Sequence, residues 1–432
     1  MTSSSVDALA AIRIPFVRAF VLARVAAALG TQIVTVAVGW QLYERTGSAW
    51  SLGLVGLFEL TPVLLFTVPA GNIADRYPRR TVAMLAQVVA GIAALGLMAV
   101  SWVQGPISVV YAMLLLVGAA RAFAGPAVST ILPQLLKAEQ FVNANAWSSS
   151  AFQFASVSGP ALGGLIIAWT GSVTWAYLAA AIGQVIFIAG FAALPVVAPA
   201  PAPDTRRSFA DMFAGFRFIR RTPVFLAAIT LDMFAVLLGG AVALLPIFAK
   251  DILHVGADGL GLLRAAPGAG SLLMMLIITR LKPWRQPGRV LIFVVIGFGL
   301  ATIGFGLSTS FILSVIFLFL TGLFDAVSVV IRITLEQVVT PDRLRGRVSA
   351  INYVFIGFSN EFGAFESGAT AALFGPVISV VAGGIGTIAV VTGVAFAFPS
   401  LLRIGPLHTL KPTDEEEISE EIAEEAEVRH GV

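Results

Sequence analysis

Gly71-Asn72-Ile73-Ala74-Asp75-Arg76-Tyr77-Pro78-Arg79-Arg80 is a charged stretch between two long apolar runs, 50–73 and 81–103. A helix needs about 20 apolar residues to cross the hydrocarbon layer, and both runs have that length. The charged cluster between them then lies at a membrane surface, on the second connection of a multi-span chain. Composition supports the reading independently. Of 432 residues, 58% are hydrophobic and 12% charged, with a mean hydropathy of +0.92, against about 25% charged in a soluble domain. A soluble protein of this length has too little interior to hide so much apolar surface.

Apolar runs of spanning length recur at 17–43, 50–73, 81–103, 107–135, 141–169, 173–195, 223–249, 258–280, 288–308, 311–338, 345–374 and 377–402. The fifth and eleventh are rich in Gly, Ser and Asn, which blurs their ends. Positive charge fixes an orientation. Arg13 and Arg18 precede the first span, Arg76, Arg79 and Arg80 follow the second, and Lys137 follows the fourth. Arg206, Arg207, Arg217, Arg220 and Arg221 follow the sixth, Arg280, Lys282, Arg285 and Arg289 the eighth, and Arg343, Arg345 and Arg347 the tenth. The odd-numbered connections hold little beyond Arg45 and Lys250. Both termini and the even-numbered loops are therefore expected in the cytoplasm. The chain divides into an N-terminal six-helix bundle (1–195), a linker (196–222), a C-terminal six-helix bundle (223–405) and an acidic cytoplasmic tail (406–432). The linker opens on a Pro/Ala-rich run. Phe209, Met212, Phe213 and Phe216 then share one face of an expected amphipathic helix over 208–218, suited to the membrane interface or to joining two bundles. Gln134-Leu135-Leu136-Lys137-Ala138-Glu139-Gln140-Phe141 aligns faintly with Gln337-Val338-Val339-Thr340-Pro341-Asp342-Arg343-Leu344, which fits a parallel repeat of two halves.

The Gly71 to Arg80 pattern resembles the signature loop of the major facilitator superfamily. Gly71 lets the second span approach its neighbour, and Pro78 stands where the family's second Gly is usual, stiffening the turn. The resemblance implies that Asp75, Arg76, Arg79 and Arg80 latch two bundles and release them as they rock. Arg121-Ala122-Phe123-Ala124-Gly125 resembles the fourth-span arginine motif of proton-coupled facilitators. An arginine at that depth is costly unless paired or wet, so it should face the bundle interior. Gly159-Pro160-Ala161-Leu162-Gly163-Gly164 resembles the antiporter motif of drug:proton exporters, although Ala155 and Ala146 stand where further glycines are expected. Physically, Gly159, Gly163 and Gly164 allow backbone-to-backbone packing, and Pro160 bends the helix. Pro15-Phe16-Val17-Arg18 with Ala23-Arg24, and Ala214-Gly215-Phe216-Arg217-Phe218, are similar to the twelve-span drug and metabolite exporter branch that holds enterobactin exporters and macrolide-efflux proteins. These resemblances cover about residues 13–405 and imply an all-α integral membrane protein with the major facilitator fold.

Charged residues inside spans are functional candidates by default. Asp232, Glu361 and Glu59 are the candidates for proton coupling, with Arg121 and with Asp325, which faces either Arg121 or Arg332. Arg332 and Glu336, one turn apart, are expected to pair. Arg24, Gln32, Trp40, Trp147, Gln153, Asn352 and Asn360 are candidates for the substrate path. Cysteine is absent and histidine is limited to His254, His408 and His430. No metal site, cofactor or catalytic residue is expected, and no phosphate-binding Gly-x-x-x-x-Gly-Lys-Ser/Thr run occurs.

The resemblance implies secondary active export of an amphiphilic small molecule (a drug, a macrolide-like compound or a siderophore) by proton antiport and alternating access in a bacterial inner membrane. Small-molecule substrate, protons and lipids are the expected partners of a monomer, with no nucleic acid. A lipid or lysolipid mover, or an importer, of the same fold is one alternative. A transport-dead membrane sensor or scaffold is another, disfavoured by the insertion cost of Asp75, Arg121 and Asp232.

Overall fold

The computed structural model describes residues 9–195 and 216–410, except the side chains of residues 138, 342, 343 and 408. The amphipathic reading of 208–218 lies outside the described residues as far as 215, as does the acidic tail from 411. Residues 216–221 are helical, with Phe218 and Ile219 buried.

Among the described residues, twelve long helices follow one another: α1 (Pro15–Thr46), α2 (Ala49–Arg76), α3 (Arg79–Trp102), α4 (Ile107–Ser129), α5 (Ala138–Thr170), α6 (Val173–Ala192), α7 (Pro223–Leu238), α8 (Gly256–Ile278), α9 (Pro287–Leu307), α10 (Phe311–Val339), α11 (Asp342–Phe374) and α12 (Pro376–Ala397). Proline opens α1, α7, α9 and α12, where its missing amide costs nothing. Gly47 and Gly171 close α1 and α5 at φ of +60° and +65°, the left-handed cap that glycine takes without strain.

Eleven of the described segments are long and apolar enough to cross a membrane. The long helix outside that set is α11, which carries Asn352, Ser359, Asn360, Glu361, Glu366 and Ser367. Of these, Ser359 and Ser367 are buried and Glu361 is nearly so, whereas Asn360 is exposed. The seventh span differs from a single apolar run over 223–249. Gly239-Gly240 ends the α-helix, a 3-10 turn covers Ala241–Leu244, and a π turn covers Phe248–Ile252. Paired glycine and Pro246 destabilise a continuous helix, and Gly240 sits close to the Gly363 carbonyl, an approach that a side chain would block.

Within the first half α1 packs on α5 and α6, α3 on α4 and α6, and α2 on α4. The second half repeats these contacts six helices later: α7 on α11 and α12, α9 on α10 and α12, and α8 on α10. Two pairs make most of the contact between the halves, α2 with α11 and α5 with α8.

The apolar core is unevenly shared. At the end away from the termini one cluster spans both halves, including Val34, Leu42, Leu97, Leu244, Phe248 and Leu263. At the termini end there are two clusters. One holds first-half residues such as Phe20, Phe187 and Leu132, and the other second-half residues such as Phe225, Leu291 and Leu335. The halves are sealed at one end and parted at the other. Consistently, a Cβ on Gly346 or Gly357 of α11 would meet open space.

Candidate functional site

The seal is made by small residues. On α2, a Cβ at Gly53 would lie 3.0 Å from Gly368, and one at Gly56 would lie 2.3 Å from the Glu361 carbonyl of α11. On α5, a Cβ at Gly164 would lie 2.4 Å from the Ala257 carbonyl and 2.9 Å from Gly261 of α8. The Pro160 carbonyl would meet a Cβ on Gly261 at 2.7 Å. Gly159 and Gly163 pack inward on α1, against Gln32 and Ile33. The Gly159 to Gly164 stretch thus fits α5 to its own half with one set of glycines and to the other half with Gly164.

Just below this seal, at about mid-depth, lies an ionic cluster. Arg121 Nη1 of α4 donates to Glu59 Oε2 of α2 and to Glu361 Oε1 of α11, at 2.7 Å each. Glu59 belongs to the first half and Glu361 to the second, so one guanidinium ties the halves together. Glu59 is ten residues from the sealed end of α2 and Glu361 thirteen from that of α11, or roughly 15–20 Å along each helix. Gly118 brings α4 onto the Glu59 backbone; a Cβ there would lie 2.3 Å from its carbonyl. The Arg121 side chain is 44% exposed, while Glu59 and Glu361 are 13% and 17% exposed. The guanidinium therefore faces the open side and the carboxylates back it. Arg264 of α8 lies close enough to interact with the charge of both carboxylates.

A second cluster lies within the second half. Arg332 of α10 pairs with Asp232 of α7, and its other amine is 3.9 Å from Asp325. Arg332 and Asp232 are nearly buried, whereas the Asp325 side chain is 45% exposed. The expected Arg332–Glu336 pair does not form. Arg332 Nε turns back to Ser328 at 3.2 Å, and Glu336 accepts from Ser349 and, at 2.7 Å, from Asn352 of α11. The sequence rule of one-turn partners fails because each side chain finds a partner on a facing helix. Asp325 faces Arg332.

The remaining candidates scatter. Arg24 Nη1 donates to Ser148 of α5 at 2.8 Å. Gln153 donates to the Gly268 carbonyl across the α5–α8 contact at 3.5 Å. Asn360 is exposed and bonds to its own helix. Trp40 packs on the shared core at the sealed end, and Trp147 packs on the first-half core at the other end. In the loop after α2, Arg79 pairs with Asp75 at 3.2 Å. Arg80 donates to the Leu194 and Ala192 carbonyls at the end of α6, at 2.5 and 2.6 Å. Gly71 is buried and Arg76 exposed.

The profile of the transmembrane secretion effector family matches residues 6–428. The chain belongs to that family. Among its curated relatives are the enterobactin exporter EntS of Shigella boydii serotype 18 and that of Escherichia coli O81. Each is 30% identical over 373 residues, 86% of this chain and 89% of the relative. Solved structures share the fold. A bacterial homolog to the human lysosomal transporter Spinster, in an inward-facing and unoccupied conformation, gives a TM-score of 0.67 at 14% identity, over 93% of this chain and 97% of that one. A D-xylose–proton symporter gives 0.66 at 13%, over 94% and 100%. The protein is a multi-pass membrane protein with the major facilitator fold.

Several positions at which the halves meet escaped sequence reasoning. Gly53, Gly56, Gly261 and Gly368 form the seal, yet nothing in the sequence separates them from other small residues in spans. Tyr43, at the sealed end of α1, donates to Asp251 in the π turn, joining the halves. The register between the halves was legible in principle. Arg24 is nine residues after the start of α1, and Asp232 is nine after the start of α7. Arg121 is fourteen after the start of α4, and Asp325 fourteen after the start of α10. At both repeat-related positions the first half carries arginine and the second aspartate.

Proposed function

We propose that this protein exports an amphiphilic small molecule by alternating access, coupled to inward proton movement through the Arg121–Glu59–Glu361 cluster. The observation that carries the reading is the ionic bridge between halves at the closed end of a cleft. Ionic groups at this depth are costly to insert, and a static scaffold gains little from placing them across a moving joint. With both carboxylates ionised the bridge holds the halves in the present arrangement. A proton on either carboxylate removes one arm of the bridge and leaves the cluster with excess positive charge. Release of that proton on the other side restores the bridge. Such a group links its charge to the conformation of the halves, as antiport requires.

The direction of transport follows the curated relatives, which are named as exporters, and the Gly159 to Gly164 seam supports it. The positive-charge bias puts the open, termini-bearing end in the cytoplasm of a bacterial inner membrane. The protein then takes its substrate from the cytoplasm or the inner leaflet in the state described here. It makes or breaks no covalent bond.

The test is proton flux in proteoliposomes under an imposed pH gradient, with hydrophobic drugs and catecholate siderophores added singly. A substrate-evoked proton movement should appear in the parent protein and vanish in Glu361→Gln and Glu59→Gln. Labelled substrate that moves without protons would leave a facilitator or lipid mover. Equal proton coupling in both variants would sink the assigned role of the cluster.

A further inference from the structure

We infer that Arg24 is the docking point for an anionic group of the transported molecule, a carboxylate, sulfonate or phenolate. This rests on the transport reading above and narrows its substrate class. One face of α1, with Ala23, Ala26 and Gly30, packs on α6 at Gly190, Gly183 and Ala180. A second face, with Leu29, Gln32 and Ile33, meets α5 at Gly159 and Gly163. Arg24, Thr31 and Thr35 share the remaining face, which the exposed Thr31 marks as open and from which Arg24 reaches across to Ser148 of α5. Thr31 is exposed, and both hydroxyls bond to their own helix, so neither competes for the guanidinium.

Arg24 itself is half-buried. Its neighbours among the described residues are the Ser148 hydroxyl at 2.8 Å and the Phe20 ring, 5.9 Å from the guanidinium carbon. No carboxylate among the described residues lies within ion-pair distance, unlike Arg121 and Arg332. A guanidinium carries five donors in a planar fork, and one hydroxyl accepts one of them. Ser148 and Phe20 hold the group in place without neutralising it. At the repeat-related position of the second half, Asp232 is neutralised by Arg332. The first half thus presents an uncompensated cation where the second half presents a closed pair. The chemistry that completes the fork is a planar or tetrahedral oxyanion, with the apolar remainder of the molecule along the cleft.

The experiment uses the full chain in detergent micelles and three matched naphthalene amphiphiles: a sulfonate, its neutral sulfonamide and a quaternary ammonium analogue. Thermal stabilisation as a function of ligand concentration gives apparent affinity. The sulfonate should bind the parent on the order of ten-fold more tightly than the sulfonamide, as a charge-assisted contact implies. Arg24→Gln should remove that preference while leaving sulfonamide binding and the ligand-free melting point in place. Arg24→Lys, which keeps the charge and loses the fork, should retain part of it. Ser148→Ala should keep the preference for the anion. Equal affinities in the parent, no sulfonate binding up to millimolar concentration, or a preference that survives Arg24→Gln would each overturn the inference. The same ligands in proteoliposomes separate the two readings. Selective sulfonate binding with no transport of any member retains the site and removes the transport reading. Transport of all three at equal efficiency retains transport and removes the site.

Discussion

Gly56→Ala should drive the protein out of the conformation described here. The added methyl would lie 2.3 Å from the Glu361 carbonyl on α11. An ordinary contact is near 3.4 Å, so the sealed ends of α2 and α11 must retreat by about 1 Å, a backbone shift that no rotamer change can absorb. Overpacking of this kind costs about 1–3 kcal/mol. The cost falls only on the arrangement in which α2 and α11 are sealed, because the opposite state parts them. The balance between states should therefore move about 5- to 150-fold. Gly118→Ala is the internal control. Its methyl would also lie 2.3 Å from a carbonyl, that of Glu59, but both helices belong to the first half and move together. It should lower the melting point without redistributing the states. The chain has no cysteine, so single thiols report cleanly. Ala371→Cys, in the shared core at 5% exposure, should react with a hydrophilic maleimide faster in the Gly56→Ala background. Gly357→Cys, with open space around its Cβ, should react more slowly. Unchanged rates at both thiols, with only a lower melting point, would refute the idea that this glycine contact is the moving seal.

Three further outcomes follow from the same geometry. Tyr43→Phe removes a hydrogen bond to Asp251 between the halves; since Asp251 is exposed, the loss should be about 1 kcal/mol, and Ala371→Cys labelling should rise about five-fold. Arg332→Leu strands Asp232 in a nearly buried site and should cost about 3–5 kcal/mol, read as a large fall in melting temperature that Asp232→Asn in the same chain restores in good part. Arg80→Ala deletes both bonds to the end of α6; it should speed proteolysis after residue 195 in the folded protein while the melting point changes little.

The spans and their number were legible because each is written in a local pattern: an apolar run of fixed length bounded by charge. Individual helix breaks were partly hidden, since Gly239-Gly240 looks like any small pair within an apolar run until Pro246 and the π turn appear beside it. The acid–base cluster was half legible. Depth alone marks Arg121, Glu59 and Glu361 as expensive residues, but their meeting depends on α2, α4 and α11 converging, and no spacing within one helix reports that. The Arg332–Glu336 expectation failed for the same reason: a one-turn interval permits a pair, and facing helices supplied Asp232 and Asn352 instead. Arg264 stood out in the sequence as a charge inside a span, but its nearness to Glu59 and Glu361 depends on α8 meeting the other helices, which its own helix does not report.

The distribution of contacts also explains why the protein can move without unfolding. Apolar packing and glycine seams hold the sealed end; parting them costs apolar exposure wherever water enters, but leaves no charge without a partner. The ionic bridge at Arg121 behaves differently. Breaking it leaves the largely shielded Glu59 and Glu361 carboxylates without their partner, and that cost is large unless something compensates. Two compensations are available at this site: a proton on Glu361 or Glu59, which removes the orphaned charge, or a ligand whose charge substitutes for the lost arm. A joint that opens cheaply only when a proton or a ligand is present is a coupling device. If the bridge were merely structural, replacing Glu361 with Gln would weaken the joint at every pH and free the halves to exchange without either. Reciprocal labelling of Ala371→Cys and Gly357→Cys in Glu361→Gln, compared across pH, separates these cases. The coupling reading expects state exchange that is pH-dependent in the parent and flat once Glu59→Gln is combined with Glu361→Gln; a merely structural bridge predicts no such pH dependence in the parent.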